Sequence, residues 1–412
     1  MSQLDRALSV PISIYNAADM ENFGDVLYPL LIDRMLQRAG YPGTQKKYAF
    51  VQGDGPLNAG YAVSAIRSLF DDAATAPRDL WLLVGGGDIL RTDDAMVASH
   101  YALPVEPPPP TSFATLFAAP TRTSATPAQQ FAERNMPPHP GAFFVSAQTC
   151  PRLSATAFVS CGVPFEIDPV HREWVCASLA SAAYVYVRDH LSREKLLRAG
   201  VTRPIEVAAD IAIVSAAYFP KSELAVSLAP TLALHGIDLA RKYAVFQCSR
   251  AGQAFLPTIV RELQNYAQQS GHQIVLLPLG PCHGDVEMLQ TVNALAGGQF
   301  CCLPTLPVLD MLGVIAHAHL FVGVSMHGNI CARSYGVRHG FGVLPGVDKI
   351  AGAMDILDMQ PSQRIVRWDT LCEYMLQLES LDPQRMQDLS ALQGDVSSQA
   401  FFRAVESLNG QS

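Results

Sequence analysis

No stretch of this 412-residue chain approaches the roughly 18 uninterrupted apolar residues that a membrane-spanning helix needs, although 49% of its residues are hydrophobic. Charge is scarce at 16% of residues, which places the chain among apolar-rich globular proteins. The familiar signatures of metal and nucleotide chemistry are missing as well. There is no HExxH, no paired Cys/His set and no carboxylate cluster, so no metal site is expected. Neither GxGxxG nor a Gly-Lys-Ser/Thr P-loop occurs, and no Gly-x-Ser-x-Gly marks a serine hydrolase. The nine cysteines form no CxxC, and Cys301-Cys302 is the one close pair. Scattered in this way they read as free thiols in small core positions. The opening "MSQLDRALSVPISIYNAAD" has acidic residues and no apolar run after a basic segment, so it does not read as a secretory signal. A cytoplasmic protein without an integral membrane segment is expected. A formal charge of -8 argues against a nucleic-acid binder, whose affinity comes from neutralising phosphates.

What the chain does have is alternation. "PISIYN" reads as a strand and "NFGDVLYPLLIDRMLQRAG" as a helix stopped by Gly40. "KYAFVQG" is strand-like, "AGYAVSAIRSLFDD" helical, and "DLWLLVGGGDIL" a buried strand running into three glycines. The regularity disappears over about 102–141, where Pro107 to Pro110 are consecutive and neither helix nor central strand can persist. A linker and a functional lid both fit that segment. Regular structure resumes with "GAFFVSAQ", followed by a helical "REWVCASLASA", a strand "AYVYVRD", a helix "SREKLLRAGV" and a short strand "IEVAAD".

"FPKSELAVSLAPTLALHGIDLARK" breaks the rhythm and is expected to link two halves. A second cycle then runs from "YAVFQCS" to the strand "HLFVGVS" and the helix "HGNICARSYGV", and two helices close the chain. The fold class expected is α/β, with two Rossmann-like lobes built on parallel sheets and a cleft between them. The N-terminal lobe would occupy 1–225 including the Pro-rich insertion, the C-terminal lobe 240–345, and a helical segment 346–412.

In open parallel sheets ligands bind beyond the C-terminal strand ends, so the turns there carry the candidates. The first is "NFGD": Asn22 and Gly24 open a helix start that favours an anion, while Asp25 either reacts or merely caps its own helix. The second is Gly85, Gly86 and Gly87 followed by Asp88, which leaves no side chain to obstruct a substrate but also suits a simple tight turn. The third is Arg188, placed to clamp a carboxylate or phosphate, with Asp189 to orient it; a surface Arg-Asp pair is the plainer account. The fourth is Ser325, His327, Gly328 and Asn329, where a histidine at a helix start can move a proton or only satisfy a helix end. His283 follows another strand and can face the cleft.

Taken in order, "NFGDVLYPLLI", "LLVGGGDIL", "YVRDHLSREKLLRAGV", "VAADIAIV" and "GVSMHGNICARSYGV" resemble the polysaccharide pyruvyl transferase family from about Ile12 to Val343. The proline-rich segment and the C-terminal helices carry none of the likeness. It implies a glycosyltransferase-B-like architecture and transfer of a pyruvyl unit from phosphoenolpyruvate to sugar hydroxyls as a cyclic ketal. It also puts the family's acidic residue on Asp25, its arginine on Arg188 and its histidine on His327.

Several members read Arg-x-His-Gly where this chain has Ser325-Met326-His327-Gly328. Ser325 supplies no charge, so the donor anion would turn to Arg188, Arg250, Arg333 or Lys349. The partners expected are phosphoenolpyruvate and a sugar or glycan-precursor acceptor, without cofactor, and self-association is a further expectation. Two other functions stay open: a glycosyltransferase using a nucleotide-sugar donor, and a catalytically silent member that binds a glycan or a protein.

Overall fold

Residues 12–41, 44, 46–50, 61–75, 80–90, 143–145, 150, 153–237, 241–342, 349–365 and 367–409 are described by the structure, a computed structural model. The Pro-rich stretch lies outside the described residues.

The first half builds one sheet. Strand β1 (Ile12–Tyr15) leads to helix α1 (Phe23–Arg38), then β2 (Lys46–Ala49), β3 (Ser64–Ala65), α2 (Arg67–Thr75) and β4 (Leu80–Gly85). It is completed by β5 (Leu153–Cys161), α3 (Pro169–Ser181), β6 (Tyr184–Val187), α4 (His190–Ala199) and β7 (Glu206–Val207). The strands pair in parallel in the order β3-β2-β1-β4-β5-β6-β7. β4, "LWLLVG", is buried along its whole length, as a parallel strand with helices on both faces must be.

A 3-10 turn (Ile211–Val214), the short helix α5 (Ser215–Tyr218) and α6 (Lys221–Leu234) lead into the second half. There follow β8 (Tyr243–Gln247), α7 (Leu256–Ser270), β9 (Gln273–Leu276), α8 (Asp285–Leu295), β10 (Cys301–Cys302), α9 (Val308–His317) and β11 (Leu320–Gly323). Next come α10 (Met326–Ser334), β12 (Arg338–Gly342), α11 (Lys349–Ile356), β13 (Arg364–Ile365), α12 (Leu371–Leu378) and α13 (Pro383–Asn409). This sheet is also parallel, in the order β10-β9-β8-β11-β12-β13.

The stretch expected to link the two halves runs between the sheets and contains α6, whose Leu228 and Leu232 are buried in the core. Three expectations are corrected. "GAFFVSAQ" lies partly outside the described residues, and Phe143 to Val145 form no strand; the strand is Leu153–Cys161. The helix expected across "AGYAVSAIRSLFDD" starts only at Arg67, behind the two-residue β3. The second sheet runs past residue 345 to β13, and α13 crosses back onto β5 and β6 of the first sheet, so 346–412 is not a separate helical unit.

The two halves share a core. One apolar cluster joins Ile14 and Leu31 from the first half to Leu312, Phe321 and Phe401 from the second. All nine cysteines are free. Among the described residues no helix is long and apolar enough to cross a membrane.

In each sheet the strand order reverses once, between β1 and β4 and between β8 and β11. Such switch points leave a crevice beyond the C-terminal strand ends. The first brings the turn before α1 beside the triple glycine, and the second brings the turn after β8 beside the start of α10.

Candidate active site

Helix α1 begins after Asn22, an extended N-cap residue without a side-chain cap bond. Asp25 therefore sits inside the first turn and does not cap its helix; its Oδ2 accepts a 2.7 Å hydrogen bond from Asn22 Nδ2. Burial pushes the Asp25 carboxyl up to about 6, against the opposing pull of His327 and the Asn22 bond. Gly24 is required by contact: a Cβ there would lie 1.8 Å from His327 Nδ1.

The glycine turn approaches the same place from the other side of the switch point. Gly86 and Gly87 have φ of +80° and +84°, where a side chain is strained. A Cβ on Gly86 would meet the Tyr28 ring at 2.5 Å, and one on Gly87 would meet Asp25 Oδ1 at 2.7 Å. Gly85 packs on Val159. Asp88, next in the chain, accepts hydrogen bonds from Arg188 Nη2 and, at 3.0 Å, from Lys349 Nζ at the start of α11. Burial opposes ionisation of Asp88, but Arg188 and Lys349 outweigh it and hold the carboxyl well below its usual range.

Arg188 ends β6 and is 3% exposed, with its guanidinium flat against Gly162. Asp189 does not hydrogen-bond to it. Asp189 caps α4, accepting from Ser192 N–H at 2.6 Å, which starts that helix at His190 and leaves the carboxylate 3.8 Å from Arg188 Nε. Arg188 Nη1 lies 3.9 Å from Asp210 Oδ2. Among the described residues, neither Nε nor Nη1, both buried, finds a hydrogen-bond partner. Burial works to lower the Arg188 pKa, but Asp88, Asp210 and Asp189 outweigh it and raise it, so the guanidinium stays charged.

His327 enters from the second sheet, in the first turn of α10. Ser325 is the N-cap: its Oγ accepts from Gly328 N–H at 3.2 Å and its own N–H donates to Gln247 Oε1 at 2.8 Å. Asn329 Nδ2 braces the turn through the carbonyls of Gly323 and Ser325, both at 2.9 Å. Gly328 is small because a Cβ would strike Phe321 at 2.5 Å. These three residues thus hold the helix start that aims the imidazole. His327 Nε2 reaches to 3.4 Å from Asp210 Oδ2, within ion-pair range but without hydrogen-bond geometry. Its ring stands edge-on to Tyr28, with centroids 5.6 Å apart.

Asp210, Tyr28 and Ser160 complete the cluster, and sequence reasoning assigned none of them a role. Asp210 caps the 3-10 turn through Ala212 N–H at 2.9 Å, and its other oxygen takes a 2.5 Å bond from the Tyr28 hydroxyl. Burial works against its ionisation; His327, Arg188 and Tyr28 together overcome it and lower its pKa. Ser160 sits at φ +56°, and its hydroxyl contacts Tyr28 at 3.2 Å and accepts from Ile211 N–H at 3.0 Å. "VAAD", a strand end followed by a turn, was the available signal for Asp210. Tyr28 is disguised by the apolar face of α1, and nothing in the sequence marks Ser160.

Two other expected residues stand on the adjoining turns. Arg250 packs beside Gly284 and His283 beside Gly280, on the turns after β8 and β9, and the second of these meets the start of α1 through the Leu279 carbonyl, which accepts from Phe23 N–H at 2.7 Å. Buried Asp285, pushed up to about 7 by burial, ties that region together by accepting from Gln247 Nε2 at 2.6 Å and Gly280 N–H at 2.9 Å. The structure does not bring Arg333 to the cluster. Its guanidinium is committed to the Leu357 carbonyl at 2.5 Å and Gln393 Oε1 at 3.2 Å, buried beneath α13. A small cavity lined by Arg188, Asp210, Met326, Ile330 and Leu357 borders the site.

Two parallel sheets whose switch-point turns meet around a buried arginine, a histidine and paired carboxylates define a transferase of glycosyltransferase-B-like architecture. The chain belongs to the polysaccharide pyruvyl transferase family, whose model matches residues 22–340. That span includes every residue of the cluster except Lys349. No curated protein matches the chain.

Solved structures share its fold at low identity. The UDP-GlcNAc 2-epimerase of Methanocaldococcus jannaschii is 11% identical, with 91% of this chain and 92% of that one covered and a TM-score of 0.50. A glycosyltransferase from Rickettsia africae is 8% identical over 97% and 98% of the two chains, with a TM-score of 0.51. The wall teichoic acid polymerase TagF is 9% identical over 98% and 89%, also at 0.51. At such identities these likenesses speak for the fold alone.

Proposed function

We propose that the protein transfers a pyruvyl unit from phosphoenolpyruvate to two hydroxyls of a sugar or glycan precursor, forming a ketal in the crevice between its two sheets. One observation carries the reading: Arg188 is buried with two donors, Nε and Nη1, that no group among the described residues accepts from, beside the His327–Asp210 pair. An anion that takes both donors removes the cost of leaving them unpaired.

The chemistry sets the roles. One sugar hydroxyl adds to the central carbon of the donor while a proton goes to its methylene carbon, which becomes a methyl group. The second hydroxyl then replaces phosphate at that carbon, and its proton leaves with the phosphate. Of the two hydroxyl protons, one thus balances the methyl group and one the released phosphate. His327, backed by Asp210, is the proton carrier, and Asp25, with its carboxyl near 6, is the second acid or base. Paired carboxylates whose surroundings drive their affinities for protons apart suit such a division of labour. Arg188 and Lys349 hold the donor's carboxylate and phosphate, Asp88 being the carboxylate that bridges them in the free enzyme. The free thiols fit a reducing, cytoplasmic compartment.

Calorimetric titration with phosphoenolpyruvate, then with UDP- and GDP-sugars, tests the donor. The expected result is heat with phosphoenolpyruvate that Arg188→Lys weakens by about 10²–10³-fold, since lysine cannot replace the planar fork. Response to a nucleotide sugar alone would make the protein a glycosyltransferase. Response to neither, with retention on a glycan, would make it a silent binder.

A further inference from the structure

At the opposite edge of the second sheet lies a cluster that the transfer chemistry does not use. His272 immediately precedes β9 and His319 immediately precedes β11, the two strands that flank β8. Glu379 closes α12 directly beneath them. We propose that His272, His319 and Glu379 bind a divalent cation of the zinc class, which fastens the end of α12 to the N-terminal edge of the sheet.

The spacing is the argument. His272 Nδ1 lies 3.4 Å from Glu379 Oε1, and His319 Nε2 lies 3.7 Å from Glu379 Oε2. One ligand atom from each of the three residues falls within 4.8 Å of the others. Two ligands about 2.0–2.1 Å from a zinc ion at tetrahedral angles stand about 3.4 Å apart, so a small closing movement brings all three into coordination. Among the described residues no other group of three such side chains meets this spacing.

Two imidazoles and one carboxylate form a donor set suited to zinc, with the fourth position left to water. The surroundings match: both imidazoles are largely buried, with side chains 9% and 13% exposed. Tyr266 supplies an outer hydrogen bond to the carboxylate, its hydroxyl 2.7 Å from Glu379 Oε1, and coordination through His272 Nδ1 would displace the 3.0 Å contact of the same hydroxyl with that nitrogen. Arg338 does not compete for the carboxylate, because its Nε donates to the carbonyls of Glu379 at 2.9 Å and Leu381 at 3.1 Å. The Glu379 side chain is 28% exposed, which gives an ion its way in.

The four residues of β11 separate His319 from the turn that carries His327, roughly 13 Å of strand. The cation would thus act on the fold and take no part in transfer.

Cobalt titration of chelator-treated full-length protein provides the test. One equivalent should bind with the visible bands of a tetrahedral ion and no thiolate-to-metal band, and zinc should displace it and raise the melting temperature. His319→Gln and Glu379→Gln, each checked for folding by circular dichroism, should weaken binding by at least the roughly 10–100-fold that loss of an outer partner costs. Binding by His319→Gln equal to wild type, a thiolate band, or no retained metal would each overturn the proposal.

Discussion

The two ends of β11 carry the same three chemistries in different company. At the C-terminal end, Tyr28 bonds to Asp210, which faces His327. At the N-terminal end, Tyr266 bonds to Glu379, which faces His272 and His319. The first set is sealed between the two halves beside a buried cation with unpaired donors, and its carboxylate is held ionised. The second set lies near the surface of one half, and burial holds both its imidazoles below the usual histidine range. Residue type alone does not separate the roles proposed for His327 and for His319; the groups packed around each do.

The sharpest way to break this contrast is His327→Ala. Loss of a well-placed acid or base costs about 10²–10⁴-fold in rate, and cobalt binding at the far end should persist. Steady-state phosphate release and the cobalt spectrum, measured on the same preparation, read both. If transfer survived at near the wild-type rate, His327 would be no more a catalyst than His319. Gly24→Ala probes the same end without touching a polar group. A methyl group 1.8 Å from His327 Nδ1 forces the ring away, and a displacement of about 1 Å costs on the order of 10²-fold.

The sequence showed the strand-turn-helix cycles because apolar runs ended at Gly40 and at the triple glycine, where chain reversal has a physical signature. It did not show β5, whose "LSATAFVSC" mixes small polar and apolar residues and reads as neither period. Asp25, Arg188 and His327 were legible because each follows a strand. Arg333 was misplaced for a geometric reason: six residues beyond His327 on one helix is about 240° around the axis, which turns it away from the cluster. Lys349 lands on Asp88 from 261 positions away, and no local pattern encodes that distance. No sequence pattern marks His319, since its partners, His272 and Glu379, are joined to it by tertiary contact alone.

The pH dependence of stability separates the two carboxylates beside His327. Asp25 rises from 3.8 to about 6, so the folded chain holds this proton more tightly than the unfolded chain. Its contribution is complete below the unfolded value and is lost as pH rises through about 6. At about 1.4 kcal/mol for each tenfold in proton affinity, the loss approaches about 3 kcal/mol. Asp25→Asn removes it. Denaturant midpoints should match wild type near about pH 4 and exceed it near about pH 8, while transfer falls, as expected where a destabilising group is kept for its chemistry. Equal midpoints at both values would mean that Asp25 is not desolvated.

Tyr28→Phe carries the smallest expected effect and bears most directly on the likeness between the two ends. The hydroxyl donates to Asp210, a bond to a charged group worth about 1.5–3 kcal/mol. Asp210 is held below its usual range, so its contribution is present above the unfolded pKa and fades as pH falls through the lower folded value. Losing the phenol raises the folded pKa, so acid unfolding should begin at higher pH, with a stability loss of about 2 kcal/mol at neutral pH that dwindles in acid. Because His327 still faces Asp210, the transfer rate should fall by less than about tenfold. The matching Tyr266→Phe removes an outer bond from Glu379, and its effect should register in cobalt affinity rather than in acid unfolding. If both substitutions moved the same observable, the two tyrosine-carboxylate-histidine sets would be one kind of packing motif, and the division between a reacting end and a fastening end would fail.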